Sequence, residues 1–523
     1  MSQKVGNFHY CPRRIIIKQN IVLRVSIIIS CCLIVLGLLF RSWLEKVAPM
    51  FLSFNANYFG VFYLFAGLIV VGVCGYLAFS KYGNIKLGKD TDKPEFSTFS
   101  WISMLFAAGM AIGLVFWATA EPITHYLFPP HGEGATAESA DTAIKYTFFH
   151  WGLQPWGLYG LIGLGMAYFQ FRKGLPARFS SIFYPILKEK IYGPAGNAID
   201  IFVIIISAIG LANSFGLGAL QISEGANLLW GFSNTIAVSI VIIIIGTILF
   251  MTSAVTGLKR GIKYLSNVNM ILALLITLFI LFFGPTKHII DVFITGTGSY
   301  LSDFLSMSTS LAPFNSEEQN WISNWTVFYL AWWLSCAPFV GAFISRVSRG
   351  RTIKEFVLAV LVVPSLMCFV WFSVFGGAGI HLIHELGNTV LGDIVSSNVT
   401  TALFAFLDYF PISSLTSILV MVLSLVFFIT QADSGSFVLA MFSSGGSLNP
   451  SNKIKLVWGG VLFSYAIILV IAGGLETAKS VLIVFTSPLA VLILLMCYAI
   501  LKGLINDESE LNKEYPAGEK EVS

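Results

Sequence analysis

Residues 106–113 read Phe106-Ala-Ala-Gly-Met-Ala-Ile-Gly113. Two glycines and three alanines sit in the middle of an apolar run, 98–119, long enough to cross a bilayer as a helix. Small residues at this depth have two readings. They let neighbouring helices pack closely. They also let a helix unwind near the midplane, so that freed carbonyls meet a cation and the broken ends meet a charged solute. The rest of the chain bears on the choice between them.

The chain has 523 residues, 56% hydrophobic and only 11% charged, with a mean hydropathy of +0.81. A soluble fold of this length needs far more polar surface, so composition alone assigns the membrane class, and apolar runs of span length make it an all-α polytopic membrane protein. Apolar runs near 22–41, 58–80, 98–119, 144–170, 198–221, 234–256, 265–284, 322–345, 355–380, 413–437, 455–473 and 478–502 predict twelve transmembrane helices. The first run follows a basic segment (Lys4, Arg13, Arg14, Lys18) and lacks a small-residue cleavage site, so it reads as a span and not a leader.

Basic residues test that count. With the N-terminus cytoplasmic, the inner loops hold Lys81, Lys86, Lys89, Lys93, Arg172, Lys173, Arg178, Lys188, Lys190, Lys259, Arg260, Lys263, Arg346, Arg349, Arg351, Lys354, Lys453 and Lys455. The outer loops hold Arg41, Lys46, Lys287 and Lys479, so the split is eighteen against four. This positive-inside asymmetry places both termini in the cytoplasm. Residues 287–307 and 387–410 carry apolar side chains at helical spacing among polar ones and read as helices lying at the outer interface, with ordinary long loops as the alternative. The tail 503–523 is polar and mixed in charge. The seven cysteines show neither metal spacing nor an outward-facing pair.

Tryptophans usually gather at membrane interfaces. Here Trp151, Trp156, Trp332 and Trp333 lie inside long apolar runs. The segment His150-Trp-Gly-Leu-Gln-Pro-Trp-Gly-Leu-Tyr159 places Trp151, Trp156 and Tyr159 within an arc of roughly 140° at about 100° per residue. Pro155 is expected to kink this helix and free a carbonyl. Core packing explains any one of these rings. Together they suit a cage for a quaternary ammonium group, held by cation–π attraction without a carboxylate.

The stretches Gly109-Met-Ala-Ile-Gly-Leu-Val-Phe-Trp-Ala-Thr-Ala-Glu-Pro-Ile-Thr-His-Tyr126, Trp332-Trp-Leu-Ser-Cys-Ala-Pro-Phe-Val-Gly-Ala-Phe-Ile-Ser-Arg-Val-Ser-Arg-Gly-Arg-Thr352 and Gln431-Ala-Asp-Ser-Gly-Ser436 resemble three blocks of the betaine/carnitine/choline transporter family. The resemblance covers all twelve spans. It implies an inverted 5+5 repeat fold with two extra N-terminal helices. Residues 1–21 are then a cytoplasmic N-terminus, 22–80 two leading helices, 98–284 the first repeat and 322–502 the second. It also implies a secondary transporter of a bacterial inner membrane, importing a small quaternary ammonium or betaine-type solute, and a homotrimer.

Carried over by position, the family's aromatic box falls on Trp151, Trp156, Tyr159 and Trp333, with Trp332 beside it. Ala111 stands where the family has glycine, near the solute carboxylate. Gly113 stands where cation-specific choline carriers have an acidic residue, so its neutrality favours zwitterions such as glycine betaine. A sodium site maps to Ala107, Met110, Phe427, Thr430 and Gln431, the last in place of a serine. A second sodium site maps to Ser207, Leu211 and Phe339, and Leu211 offers it no ligand. The arginine and methionine that replace the cations in sodium-independent antiporters map to Met270 and Val340, so neither is present. Sodium-coupled symport is therefore expected, with proton coupling or exchange of choline, carnitine or a related compound as the alternative.

Two ionisable side chains within spans, His150 and Asp433, are candidates for coupling roles, with local backbone hydrogen bonding as the bland reading. No zinc-binding His-Glu-x-x-His, no phosphate-binding loop and no nucleophile–base pair occurs, so an enzyme and an ATP-driven pump are both disfavoured. No cofactor and no nucleic-acid partner is expected; membrane lipids are.

Overall fold

A computed structural model describes residues 12–109, 112–256, 259–472 and 474–514, and it is helical. Helix α1 spans Pro12–Leu39 and α2 Arg41–Phe79. Among the described residues, ten helices are long and apolar enough to cross a membrane. The predicted runs 98–119 and 144–170 are not among them. The first is described on either side of residues 110 and 111, as α3 (Thr98–Gly109) and α4 (Ile112–Leu127). The second is divided between two shorter helices, α5 (Ala137–Trp151) and α6 (Leu153–Ala167).

The break between α5 and α6 has a local cause. It falls at Gly152, three residues before Pro155, so the proline does not kink a helix interior. It occupies the first turn of α6, where a missing N–H costs nothing. The start of α5 is fixed by a capping box: the Thr136 hydroxyl accepts from Ser139 N–H at 3.1 Å, and Ser139 Oγ accepts from Thr136 N–H at 2.9 Å.

Beyond α6 the chain continues as α7 (Pro194–Trp230), α8 (Ile236–Thr256), α9 (Lys259–Phe283) and α10 (Thr286–Thr309). Helix α11 (Phe328–Val347) is preceded by a short helix Ser316–Ile322 and a π-helical turn Ser323–Val327. Helix α12 (Ile353–Phe372) runs through a second π-helical turn, Ser373–Gly377, into Ala378–His384. The segment 387–410 contains the helices Thr389–Ser397 and Ala402–Leu407. The chain ends with α13 (Ser413–Ser443), α14 (Asn452–Ile471) and α15 (Gly474–Glu514).

Helices α6, α7 and α11 form the centre and are almost wholly buried, whereas α1, α8 and α9 leave long apolar faces outward. Small residues set the closest approach: a Cβ on Gly341 of α11 would lie 2.6 Å from Ile162 Cγ2 and 3.0 Å from Gly163 N of α6.

The basic turn after α11 is tied to the segment between α2 and α3. Arg351 places its guanidinium 4.5 Å from the Trp101 ring and donates to Phe96 O at 2.8 Å and Thr98 Oγ1 at 3.2 Å. Arg349 donates to Asp92 Oδ2 at 3.0 Å, which holds that carboxyl below its usual range. Ile353 N–H and Gly350 N–H donate to Ile85 O and Leu87 O, both at 2.9 Å. Arg346 lies instead over Phe437, at 4.7 Å.

Candidate functional site

The α5–α6 break, Gly109 and Gly113, and α11 meet at one place. Trp151 is the last residue of α5, Trp156 and Tyr159 lie on the first turns of α6, and Trp332 and Trp333 are on α11. Trp333 is the hub: its ring centroid is 5.2 Å from Trp151, 5.3 Å from Tyr159, 6.3 Å from Trp332 and 6.5 Å from Trp156. The pairs with Trp151 and Tyr159 meet edge to face, each worth about 0.5–1.5 kcal/mol beyond burial.

The enclosed cavity is only about 20 Å³, close to the room one water needs. Trp151, Tyr159, Trp332 and Trp333 line it, with Gly109, Gly113, Ser214, Cys336 and Gln431. No acidic side chain reaches it. Trp156 does not face it; that ring stands behind Tyr159, 5.6 Å away, and covers Gly109. Met110 and Ala111 lie outside the described residues.

Gly109 and Gly113 are seats for the rings. A Cβ on Gly109 would meet Trp156 Cη2 at 2.4 Å, and one on Gly113 would meet Trp332 Cη2 at 2.3 Å. The packing reading of residues 106–113 thus holds at both glycines. Gly113→Ala is expected to push Trp332 aside and weaken solute binding about tenfold, the usual scale of an overpacked core position. A titration of tryptophan fluorescence with glycine betaine checks this. An unchanged affinity would mean that Trp332 does not depend on its seat.

The break at Gly152 leaves backbone groups that other helices satisfy. The Trp333 indole N–H donates to His150 O at 2.9 Å. Leu153 N–H donates to the Tyr300 hydroxyl of α10 at 3.0 Å. A helix segment read from sequence as interfacial therefore reaches the interruption beside the box.

Behind Trp151 lies a buried polar cluster that sequence reading largely missed. Glu121 of α4 accepts from the Trp151 indole N–H at 2.7 Å and from the Tyr329 hydroxyl at 2.5 Å through Oε2. Its Oε1 lies 2.7 Å from His150 Nδ1 and 3.3 Å from His125 Nε2. The other nitrogen of His150 is 2.9 Å from Thr326 Oγ1, presented by the π-helical turn before α11. His150 thus bonds side chains, and the expected local backbone role is not what the structure shows. A signal for the rest was available: Glu121 and His125 are four residues apart, on one helix face, just past the apolar run 98–119.

The residues mapped to sodium are dispersed among stated roles. Gln431 turns its side chain into the cavity, and its buried Oε1 has no hydrogen-bond partner. Thr430 Oγ1 donates within its helix, 3.0 Å from Val426 O and 3.1 Å from Phe427 O, and accepts from Asn269 Nδ2 at 3.3 Å. Ala107 lies in the last turn of α3. At the second mapped site Ser207 Oγ is buried without a partner, while Leu211 packs so tightly on Gly435 that a Cβ there would be 2.4 Å from it. Asp433 accepts from Ser253 Oγ at 3.0 Å.

A broken helix packed round an aromatic cage inside a helical membrane bundle describes a solute carrier. The family model for the BCCT, betaine/carnitine/choline family transporter matches residues 21–509. The chain is 45% identical over 490 residues to the glycine betaine transporter OpuD of Bacillus subtilis (strain 168), covering 94% of this chain and 95% of that one. It is 40% identical over 495 residues to a probable glycine betaine transporter of Desulfitobacterium hafniense (strain Y51), covering 94% and 98%. It is 37% identical over 499 residues to an ectoine/hydroxyectoine transporter of Virgibacillus pantothenticus, covering 95% and 98%. The chain belongs to the betaine/carnitine/choline transporter family and is a multi-pass membrane transporter, not an enzyme.

Proposed function

We propose that this chain imports a betaine-type solute, glycine betaine foremost, by alternating access and coupled to sodium. The observation that carries the reading is the cavity walled by Trp151, Tyr159, Trp332 and Trp333 with no acidic side chain in its lining. Aromatic faces hold a trimethylammonium head, and neutrality at Gly113 leaves the solute its own carboxylate as counter-ion. The small cavity corresponds to a closed box whose rings part to admit the solute. The names of the relatives, which include glycine betaine, ectoine and choline transporters, support the same class.

The architecture that goes with this reading has twelve spans, with α3–α4 and α5–α6 each counted as one span. It has two five-helix repeats, 98–284 and 322–502, after two leading helices, and Thr286–Thr309 and 387–410 at the outer interface. The charge asymmetry supports cytoplasmic termini in a bacterial inner membrane, and the family resemblance supports a homotrimer.

Sodium is favoured by the unpartnered Gln431 carbonyl, which shares the cavity with Gly109 and Gly113, with Thr430 next to it. In proteoliposomes, glycine betaine uptake is expected to be saturable and to fall to background when external sodium is replaced by potassium. Uptake that ignores this exchange removes sodium coupling. The specific observation for a proton-coupled symporter or an exchanger is Leu211, which fills the second mapped cation site against Gly435.

A further inference from the structure

We propose that Glu121, His125 and His150 form a proton-binding site whose proton competes with the solute's ammonium head for the aromatic box. This rests on the box as read above, but not on the identity of the coupling ion.

The three side chains are buried, and one ligand atom from each lies within 4.8 Å of the others. The two imidazoles differ. His150 is held at both nitrogens, by Glu121 and Thr326. His125 makes no hydrogen bond through either nitrogen, although its Nε2 stands 3.3 Å from Glu121 Oε1. A buried polar group without a partner is costly. A proton arriving from water at His125 Nε2 is donated to Glu121 Oε1 and turns a van der Waals neighbour into a charge-assisted hydrogen bond. The cluster then passes from one net negative charge to none.

The groups facing the cluster do not supply that proton. Tyr146 of α5 lies 6.0 Å from the His150 ring, and Tyr329 of α11 stacks on it at 4.7 Å. Trp321 and Trp325 cover His125 at 4.7 and 4.5 Å. Behind Trp325, at 4.9 Å, lies the Lys479 ammonium of α15. On the helix that carries Trp321, Glu318 is directed to His131, at 3.9 Å. No other carboxylate touches the cluster among the described residues.

Two contacts carry its charge to the box. The Trp151 indole that walls the cavity donates to Glu121 Oε2, and His150 O accepts from Trp333. An ammonium head against these rings is stabilised while the cluster is anionic. At an effective dielectric near 20, losing that charge weakens binding on the order of tenfold. The sign follows: affinity rises with pH, and at acidic pH each bound solute releases up to one proton. The carboxylate of glycine betaine offsets part of the effect, so choline shifts more.

The test uses the full chain in nanodiscs at fixed sodium. Affinities for glycine betaine and choline are read by tryptophan fluorescence at about pH 4.5 and about pH 8.5. Heats of binding are compared at the lower pH in two buffers of different ionisation enthalpy. The expected results are tighter binding at the higher pH, a larger ratio for choline, and buffer-dependent heat that reports proton release. His125→Gln is expected to flatten the ratio and abolish that heat. Binding that is equal at both pH values without buffer-dependent heat overturns the proton site while leaving the box standing. A pH ratio that persists in His125→Gln overturns it too. Absence of binding at any pH removes the box, and this inference with it. The wild-type measurements decide even if the variant does not fold.

Discussion

Trp333→Ala is expected to weaken glycine betaine binding about 30-fold, the equivalent of the ~2 kcal/mol of one desolvated cation–π contact. Trp333 touches every other ring of the box. Its removal opens the cavity toward Tyr159 and leaves Trp151 without the partner that stands edge-on to it. It also strips His150 O of the indole N–H that caps it. Trp333→Phe separates the two roles, because it keeps a ring and loses the N–H. It is expected to bind with an affinity between wild type and alanine. Fluorescence titration or calorimetry reads both variants, and an alanine variant with wild-type affinity would remove Trp333 from the box.

Glu121→Ala has the largest expected effect on stability. The carboxylate is fully buried and serves the Trp151 N–H, the Tyr329 hydroxyl and the His150 ring. A buried donor left unpaired costs about 1–3 kcal/mol, so three of them imply a loss of at least about 3 kcal/mol. The unfolding midpoint in detergent should drop by several degrees, with solute affinity falling as Trp151 loses its anchor. Glu121→Gln keeps one acceptor oxygen and is expected to be milder. A wild-type midpoint and affinity in the alanine variant would contradict the anchoring role.

Much of this was legible in the sequence for physical reasons. Hydropathy and basic-residue placement depend on single-residue transfer energies, so the apolar runs and their order survive in the helices observed. The aromatic residues were identifiable because tryptophans far from the basic flanks need an explanation. Their arrangement was not identifiable. An arc on a helical wheel assumed one continuous helix through 150–159, whereas the break at Gly152 divides Trp151 from Trp156 and leaves Trp156 behind the cavity wall. The break lies at Gly152, three residues before Pro155, so the proline marks its neighbourhood and not its position. Glu121 lies past the end of the apolar run 98–119, where the sequence carries only the family resemblance. Its partners come from α5 and α11, and no local spacing announces a contact between residues 121, 150 and 329.

The staple between Trp333 and His150 has a mechanical consequence. The Trp333 ring is bonded to the main chain of the broken helix it faces. Any motion that slides α11 past the α5–α6 joint ruptures that bond, and the close fit of Gly341 on Gly163 resists it further. In the transport cycle proposed above, Trp333 and the His150–Trp151 corner are expected to move together, so that a solute enters where the other rings part from them.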